Sequence, residues 1–290
     1  MPSLARILLP VDFSGRSRGA ARYAYALGTR FRSEVTLLHV VPPPHYELSA
    51  LEVGGSVLNE LYAARSRQLR KDLEAHLVEE LKDLRVARVL LEGDPARRLV
   101  EYAHAERMDL ILMPTHGYGP FRRFILGSVT AKVLHDADCP VMTGVHLEAA
   151  PPTDAIAFHR LLVAVDLGPG SARVLEWASW LSSAVGARLT LIHVTPSLEA
   201  LSGEYFDPEW RQRLAEEARQ QIATVAEQVG AAPEVLIDNG DAPGVICAAA
   251  RNLSADLLVI GRGTAAGMFG RLRTNAYAII RQAPCPVVSV

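Results

Sequence analysis

The chain has 290 residues, of which 49% are hydrophobic and 21% charged, and its formal net charge is −2. This length is natural for two domains of about 145 residues, each with a core of its own. A near-neutral charge without a basic stretch interleaved with aromatic residues argues against nucleic acid as the main partner. No apolar run approaches the ~20 residues of a membrane span, and Met-Pro-Ser leads directly into a predicted strand, so we expect a cytoplasmic protein without membrane or signal segments.

Predicted strands and helices alternate along the first half. Strands are expected at 5–11, 34–41, 86–92, 109–113 and 138–142, and helices at 14–30, 57–82, 95–106 and from Ser128 onward. In the first of these helices the apolar residues recur on one face, namely Ala20, Tyr23, Ala24 and Leu27. Short strands separated by helices predict a parallel sheet covered on both faces, and therefore an α/β fold.

The second half repeats the first. The matching blocks are Ala5–Asp12 with His159–Asp166, Val35–Val40 with Leu189–Val194, Asp109–Leu112 with Asp256–Val259, and Cys139–Val141 with Cys285–Val287. Two copies of one domain are predicted, at 1–147 and 155–290, with a linker at about 148–154. We expect the final strands, near 140–145 and 286–290, to lie close together in a pseudo-twofold pair, because an apolar edge strand needs covering.

The stretch after the fourth predicted strand has the composition of a phosphate site. Asp109–Met113 is followed by Pro114-Thr-His-Gly117, nine residues, and then Gly127-Ser128, where Ser128 is predicted to be the N-cap of the next helix. A strand, a glycine loop and a helix N-terminus expose several backbone N–H groups in front of the positive end of a helix dipole. In parallel sheets, ligands bind outside the carboxyl ends of the strands.

These motifs resemble those of the universal stress protein family, in its tandem form. The family's loop pattern is G-x2-G-x9-G-[S/T], followed by a helix and an A-x-C-P-V strand, which here is Ala137–Val141. The Pro-Val-Asp-Phe-Ser start at 10–14 and Leu-Leu-His-Val at 37–40 are similar to the family's first two strand ends. The resemblance covers nearly all of both halves. It implies two Rossmann-like (adenine nucleotide α-hydrolase-like) domains, each a five-stranded parallel sheet with helices on both faces.

The resemblance also implies a site, because ATP lies across these strand ends in the nucleotide-binding members of the family. The corresponding residues of the first copy are Pro10, Asp12, Val40, Met113, Pro114, Gly117, Gly127, Ser128, Val129 and Thr130. Asp12 can accept from an adenine amine or ribose hydroxyls, and Mg2+ is expected to accompany bound ATP. Pro114 replaces the first glycine of the pattern and supplies no N–H, so we expect weaker binding rather than none.

The second copy departs further from the pattern. Its counterparts of the site are Asp166, Val194, Gly261, Gly263 and Thr274. Its loop is one residue shorter before Gly263, and Arg273 stands where Gly127 stands in the first copy. An arginine side chain would intrude where phosphate should rest, although arginine is itself a phosphate ligand. Nucleotide binding by the second copy therefore stays open.

Several polar residues are predicted to be structural. They are the equivalent strand residues His39 and His193, the turn residues Asp94 and Asp241 as helix caps, and Cys139, Cys247 and Cys285 as buried thiols. The histidines and cysteines show no metal-binding spacing, and no set of nucleophile, base and orienting group is visible. The sequence thus predicts no catalytic residue and no bound metal of the protein's own.

The function predicted from these features is that of an ATP-binding stress-response regulator, with nucleotide bound mainly in the first copy and a protein partner that the sequence does not identify. Two alternatives stay open. One is an interaction module of the same fold that binds no nucleotide, and the other is a weak ATPase. The predicted partners do not include nucleic acid or a membrane, and a further homodimer is open.

Overall fold

The computed structural model describes residues 2–42, 55–115, 126–148, 150–196, 208–262 and 271–290. The chain divides into two compact units. One contains Ser3–Val141 and Leu147–Ile156, and the other contains Met142–His146 and Ala157–Val290. The domain limits given above stay a prediction, and so does the pseudo-twofold pairing of the final strands.

Strands and helices alternate in the first half, as predicted. The strands are β1 (Arg6–Pro10), β2 (Glu34–Val41), β3 (Arg85–Glu92), β4 (Leu110–Leu112) and β5 (Val141–Thr143). The helices are α1 (Ser17–Phe31), α2 (Gly55–Ala75), α3 (Pro95–Ala105) and α4 (Ser128–Asp136). The sheet order is β3-β2-β1-β4-β5, and β1 pairs in parallel with both β2 and β4.

The second half repeats this arrangement. Its strands are β6 (Arg160–Ala164), β7 (Arg188–Pro196), β8 (Glu234–Gly240), β9 (Leu257–Ile260) and β10 (Val287–Ser289). Its helices are α5 (Ser171–Val185), α6 (Pro208–Val229), α7 (Ala242–Asn252) and α8 (Arg271–Gln282). The strand order β10-β9-β6-β7-β8 mirrors that of the first half, which confirms the predicted α/β fold. Short 3-10 helices lie at Val145–Leu147 and Thr153–Ala155.

The core follows the apolar pattern of the sequence. Ile7, Leu8 and Leu9 of β1 are fully buried, as expected of a central parallel strand with both faces covered. The predicted face of α1 is buried through Ala20, Tyr23, Ala24 and Leu27. Among the residues that the structure describes, no helix combines the length and apolarity needed to cross a membrane.

The helix predicted at 57–82 was extended too far, because α2 ends at Ala75. Leu77 has a positive φ of 53°, and the Arg88 guanidinium, which comes from β3, donates to the carbonyls of Leu73 (3.0 Å) and His76 (3.4 Å). A side chain that satisfies the last carbonyls of a helix stabilises its end. In the second half Val235 stands at the position of Arg88, and α6 continues to Val229.

Candidate functional site

Asp12 begins the candidate site at the carboxyl end of β1. Its Oδ1 accepts from the backbone N–H of Ser14 (3.0 Å) and from the Ser17 hydroxyl (3.5 Å), which ties the strand end to the start of α1. Its Oδ2 is buried and has no hydrogen-bond partner among the described residues. A buried carboxylate oxygen without a donor is costly, so this atom is suited to accept a hydrogen bond from a ligand.

A ring cluster lies beside Asp12. Phe13, which has a φ of 62°, contacts the rings of His39 at 4.6 Å and His76 at 5.2 Å between centroids. Nδ1 of His39 is 2.7 Å from the Val11 carbonyl oxygen, which confirms the predicted hydrogen-bonded histidine. His39 therefore fixes the course of the chain just before Asp12.

Sequence reasoning missed His76. Its Nε2 is buried and has no hydrogen-bond partner within the described part of the chain. Burial lowers the pKa of His76 below its ordinary value, although the carboxylates of Glu80 and Asp12 act in the opposite direction. No spacing signal identifies His76, because its position beside Asp12 depends on where α2 ends.

The other end of the candidate site lies at the start of α4. The N-cap is Gly127, with φ −61° and ψ 145°, and Ser128 is the first helical residue, so the N-cap predicted at Ser128 was wrong by one position. The Gly127 N–H donates to the Thr115 carbonyl (2.9 Å), and the buried Thr130 hydroxyl donates to the Pro114 carbonyl (3.2 Å). These two bonds hold the end of β4 against the helix start.

The first turn of α4 retains donors for an anion. Its first intrahelical bond runs from Ala131 N–H to the Gly127 carbonyl (2.8 Å). The N–H groups of Ser128, Val129 and Thr130 therefore have no intrahelical acceptor, as in any helix start. Pro114 offers no N–H, and that of Gly127 is engaged by Thr115, so the donors available to phosphate come from this turn.

The predicted residues lie at one edge of the first sheet. Asp12 follows β1, the buried Val40 belongs to the last residues of β2, and the buried Met113 follows β4. Pro10 is the last residue of β1, and the Pro114 carbonyl accepts the hydrogen bond from Thr130. Gly117 lies outside the described residues. Besides His76, sequence reasoning missed Glu148, which it assigned only to the linker. The Glu148 carboxylate accepts a hydrogen bond from the Thr115 hydroxyl at this edge (3.0 Å).

The second half repeats the strand-end turn but not the ring cluster. Oδ1 of the exposed Asp166 accepts from Gly168 N–H (2.9 Å) and the Ser171 hydroxyl (3.2 Å). His193 Nδ1 is 2.9 Å from the Val165 carbonyl oxygen, so the second predicted structural histidine is also confirmed. Ala223 stands at the position of His76, within the uninterrupted α6.

The glycine-loop end of the second half also differs. Gly261 follows β9, and the guanidinium of the next residue, Arg262, donates to the Ser289 carbonyl (3.3 Å). Val194 is half-buried in β7. Gly263 and the side chains of Arg273 and Thr274 lie outside the described residues. Arg262 therefore joins the end of β9 to β10. The equivalent residue of the first half is Thr115.

The predicted helix caps are confirmed. Asp94 accepts from the backbone N–H of Arg97 (2.9 Å) at the start of α3, and Asp241 accepts from Gly244 (3.1 Å) at the start of α7. The Arg97 amide lowers the pKa of Asp94. Both aspartates therefore have structural roles.

Cys247 and Cys285 are buried thiols, as predicted, whereas Cys139 is only half-buried, so the prediction for that residue was wrong. Burial raises the pKa of Cys247, and it raises that of Cys285 to about 12. These two thiols are therefore poor nucleophiles at neutral pH. Among the described residues, no three His, Cys, Asp or Glu side chains are grouped to hold a metal ion.

The fold and the candidate site define a class of protein with two doubly wound parallel α/β halves. At the carboxyl edge of its sheet, the first half has a helix N-terminus and a buried carboxylate oxygen that has no hydrogen-bond partner among the described residues. The sequence model of the universal stress protein family matches residues 4–143 and again 157–290. The chain therefore belongs to the universal stress protein family, in its tandem form.

Two curated relatives each match about half of the chain. A universal stress protein of Methanocaldococcus jannaschii is 31% identical over 137 residues, which is 47% of this chain and 79% of the relative. One of Thermus aquaticus is 31% identical over 137 residues, covering 47% of this chain and 95% of the relative. The crystal structure of a universal stress protein from Archaeoglobus fulgidus covers 99% of this chain and 96% of its own, with a TM-score of 0.65 and 23% identity, which supports the fold.

Proposed function

We propose that this chain is an ATP-binding stress-response regulator whose nucleotide site lies in the first half. The observation that carries the proposal is the buried Asp12 Oδ2, which has no partner among the described residues at the sheet edge where ligands of this fold class bind. The nucleotide-binding members that the sequence resembles hold ATP across the same strand ends. Occupancy would then change how the protein interacts with a partner.

Each end of the site supplies the chemistry for one part of ATP. The Asp12 carboxylate accepts from the adenine amine or the ribose hydroxyls, and Val40 and Met113 supply apolar surface beside it. The N–H groups of Ser128, Val129 and Thr130 point their dipoles at the phosphates. Mg2+ would bind to the phosphate oxygens and water, since that ion rarely requires a cage of protein ligands.

The proposal predicts that Gly127→Arg prevents nucleotide binding without unfolding the protein. Gly127 has a negative φ, so a side chain adds no left-handed strain there, and the arginine would occupy phosphate space. We expect Gly127→Arg to lower ATP affinity by more than Ser128→Ala does, and the loss for Ser128→Ala to be on the order of 1.5–3 kcal/mol. Calorimetric titration measures both, with circular dichroism to verify folding.

The matched control is Ala105→Arg, which adds the same charge at an exposed residue at the end of α3. It should bind ATP like the parent. If Gly127→Arg remains folded and also binds ATP like the parent, the start of α4 does not bind phosphate.

A second candidate is an interaction module without nucleotide. It is favoured by Pro114, which lacks an N–H, and by the engagement of the Gly127 N–H with Thr115. Mass spectrometry of freshly purified, denatured protein separates the two functions. Co-purifying ATP supports the regulator, whereas a parent protein that neither retains nor binds ATP supports the module.

A further inference from the structure

A carboxylate from the segment after β5 lies at the phosphate end of the candidate site. In this segment the structure describes residues 147, 148, 150 and 151, and these lie close to α1. The Arg22 guanidinium donates to the Ala150 carbonyl (2.6 Å), and a Cβ added at Gly19 would lie 2.0 Å from the Leu147 carbonyl oxygen. Only glycine permits this approach, so Leu147, which precedes Glu148, and Ala150, two residues after it, are held against the helix. All of these residues belong to the same compact unit.

The Glu148 carboxylate is bound through both of its oxygens. The hydroxyl of Thr115, a residue only 1% exposed, donates to Oε1 at 3.0 Å, and Nε of Arg16 lies 3.4 Å from Oε2. A guanidinium and a buried hydroxyl that converge on two oxygens of one anion form a built anion site. Its ligand in this structure is a side chain of the same chain.

This anion site is continuous with the start of α4. The Thr115 whose hydroxyl binds Glu148 also accepts the Gly127 N–H through its carbonyl (2.9 Å). One residue therefore joins the Glu148 carboxylate to the N-cap of α4, where the phosphates of the proposed nucleotide would begin. A polyphosphate and a carboxylate this close would repel each other, and the repulsion is only partly screened because the Arg16 and Glu148 side chains are 32% and 25% exposed.

We propose that Arg16 and Thr115 form a subsite for the terminal phosphate of the bound nucleotide, and that Glu148 occupies this subsite until phosphate displaces it. The inference rests on the proposed function, which it deepens by naming a phosphate-binding arginine and an intramolecular competitor. The subsite belongs to the first half alone, because Gly170 stands at the position of Arg16 at the start of α5 and Arg262 at the position of Thr115.

The test is the affinity of the full chain for ATP and for adenosine, with Glu148→Gln and Arg16→Gln as the variants. Glu148→Gln removes the competing charge, and we expect it to raise ATP affinity about threefold to tenfold while leaving adenosine affinity unchanged. Arg16→Gln should lower ATP affinity about tenfold, again with adenosine unchanged. The matched control is Asp154→Asn, an exposed carboxylate farther along the same connector, which should change neither affinity.

The subsite is refuted if Glu148→Gln lowers ATP affinity, leaves it unchanged, or changes ATP and adenosine alike. A parent protein that binds neither ligand would refute the proposed function instead, and tripolyphosphate then tests the subsite separately. Binding of tripolyphosphate by Glu148→Gln that is lost on adding Arg16→Gln would support the subsite, and no binding by Glu148→Gln would overturn it.

Discussion

Single residues at the end of β1 combine structural and ligand-directed roles. One oxygen of Asp12 holds the turn into α1, and the other is buried without a partner in the described part of the chain. Phe13 is held at a positive φ between two imidazole rings, one of which bonds the Val11 carbonyl. A backbone fixed in this way keeps the Asp12 carboxylate in one orientation, which reduces the entropy lost on binding a ligand.

The lowered pKa of His76 predicts a dependence of stability on pH. Burial is its main cause, Glu80 and Asp12 oppose it, and Arg18 and Arg88 reinforce it. In the unfolded chain His76 takes up a proton at about pH 6.5, and in the folded protein it does so only at a lower pH. The free energy of unfolding therefore decreases as the pH falls below 6.5. The loss continues until the pH reaches the folded pKa.

We expect His76→Phe, which retains a ring against Phe13, to lose less stability than the parent between pH 7 and pH 5. Urea denaturation at each pH measures the difference. His159→Gln is the control, because that side chain is exposed and a change there should leave the pH dependence of the parent. Equal pH dependence in His76→Phe and the parent would contradict a buried, neutral His76.

At the scale of secondary-structure elements, local capping explains where helices begin, and tertiary contacts explain where one of them ends. Asp94 and Asp241 cap α3 and α7 with a proline in the first turn of each, a combination readable from sequence. The end of α2 is different, because the capping guanidinium of Arg88 comes from a strand that follows later in the chain.

The N-cap at Asp94 should contribute measurably to the free energy of unfolding through α3. Asp94→Ala should cost about 1 kcal/mol of unfolding free energy, because the Arg97 N–H loses its acceptor. Asp94→Asn should cost less, since its amide oxygen can also cap. The contact of Asp94 with Lys132 (3.3 Å) is exposed and should add little. Urea denaturation at pH 7 measures all three proteins.

Asp241→Ala is the matched variant in α7 and should lower the free energy of unfolding by a similar amount.

Because the pKa of Asp94 is lowered in the folded protein, the stabilising contribution of its charge is present above the ordinary value of 3.8. That contribution is lost as the pH falls through the folded pKa. A loss for Asp94→Asn as large as that for Asp94→Ala would show that charge, rather than capping, stabilises α3.

At the scale of the whole molecule, the two copies share a fold and differ at the ligand edge. Where the first has Arg16, His76 and Thr115, the second has Gly170, Ala223 and Arg262. The strand-end aspartate and the structural histidine are present in both. The shared aspartate holds the strand-end turn in both halves, and in the first half it is also proposed to bind nucleotide. Arg16 and Thr115, the residues proposed to bind the terminal phosphate, are absent from the second half.

This asymmetry predicts about one strong adenine-nucleotide site per chain. Asp12→Ala should weaken ATP binding strongly, whereas Asp166→Ala, the same change in the second copy, should leave stoichiometry and affinity as in the parent. Calorimetric titration gives both quantities. Two sites of equal affinity in the parent would show that the second copy binds nucleotide despite its shortened loop.

The sequence by itself determined the repeat, the order of strands and helices, the buried faces and the capping aspartates. These follow from short-range rules, in which apolar periodicity, N-cap side chains and proline positions act within a few residues. The positions of Asp12, Val40 and Met113 at one sheet edge were also predictable, because successive strands of a parallel sheet end on the same side.

Only the tertiary structure decided which of these groups have free hydrogen-bonding capacity. That Asp12 Oδ2 is buried without a partner among the described residues, that His76 lies beside Phe13, and that Glu148 binds Thr115 all depend on contacts between segments distant in sequence. The Arg88 contact that ends α2 and the one-residue shift of the α4 N-cap are of the same kind. Such contacts are set by packing of the complete chain, which no local pattern encodes.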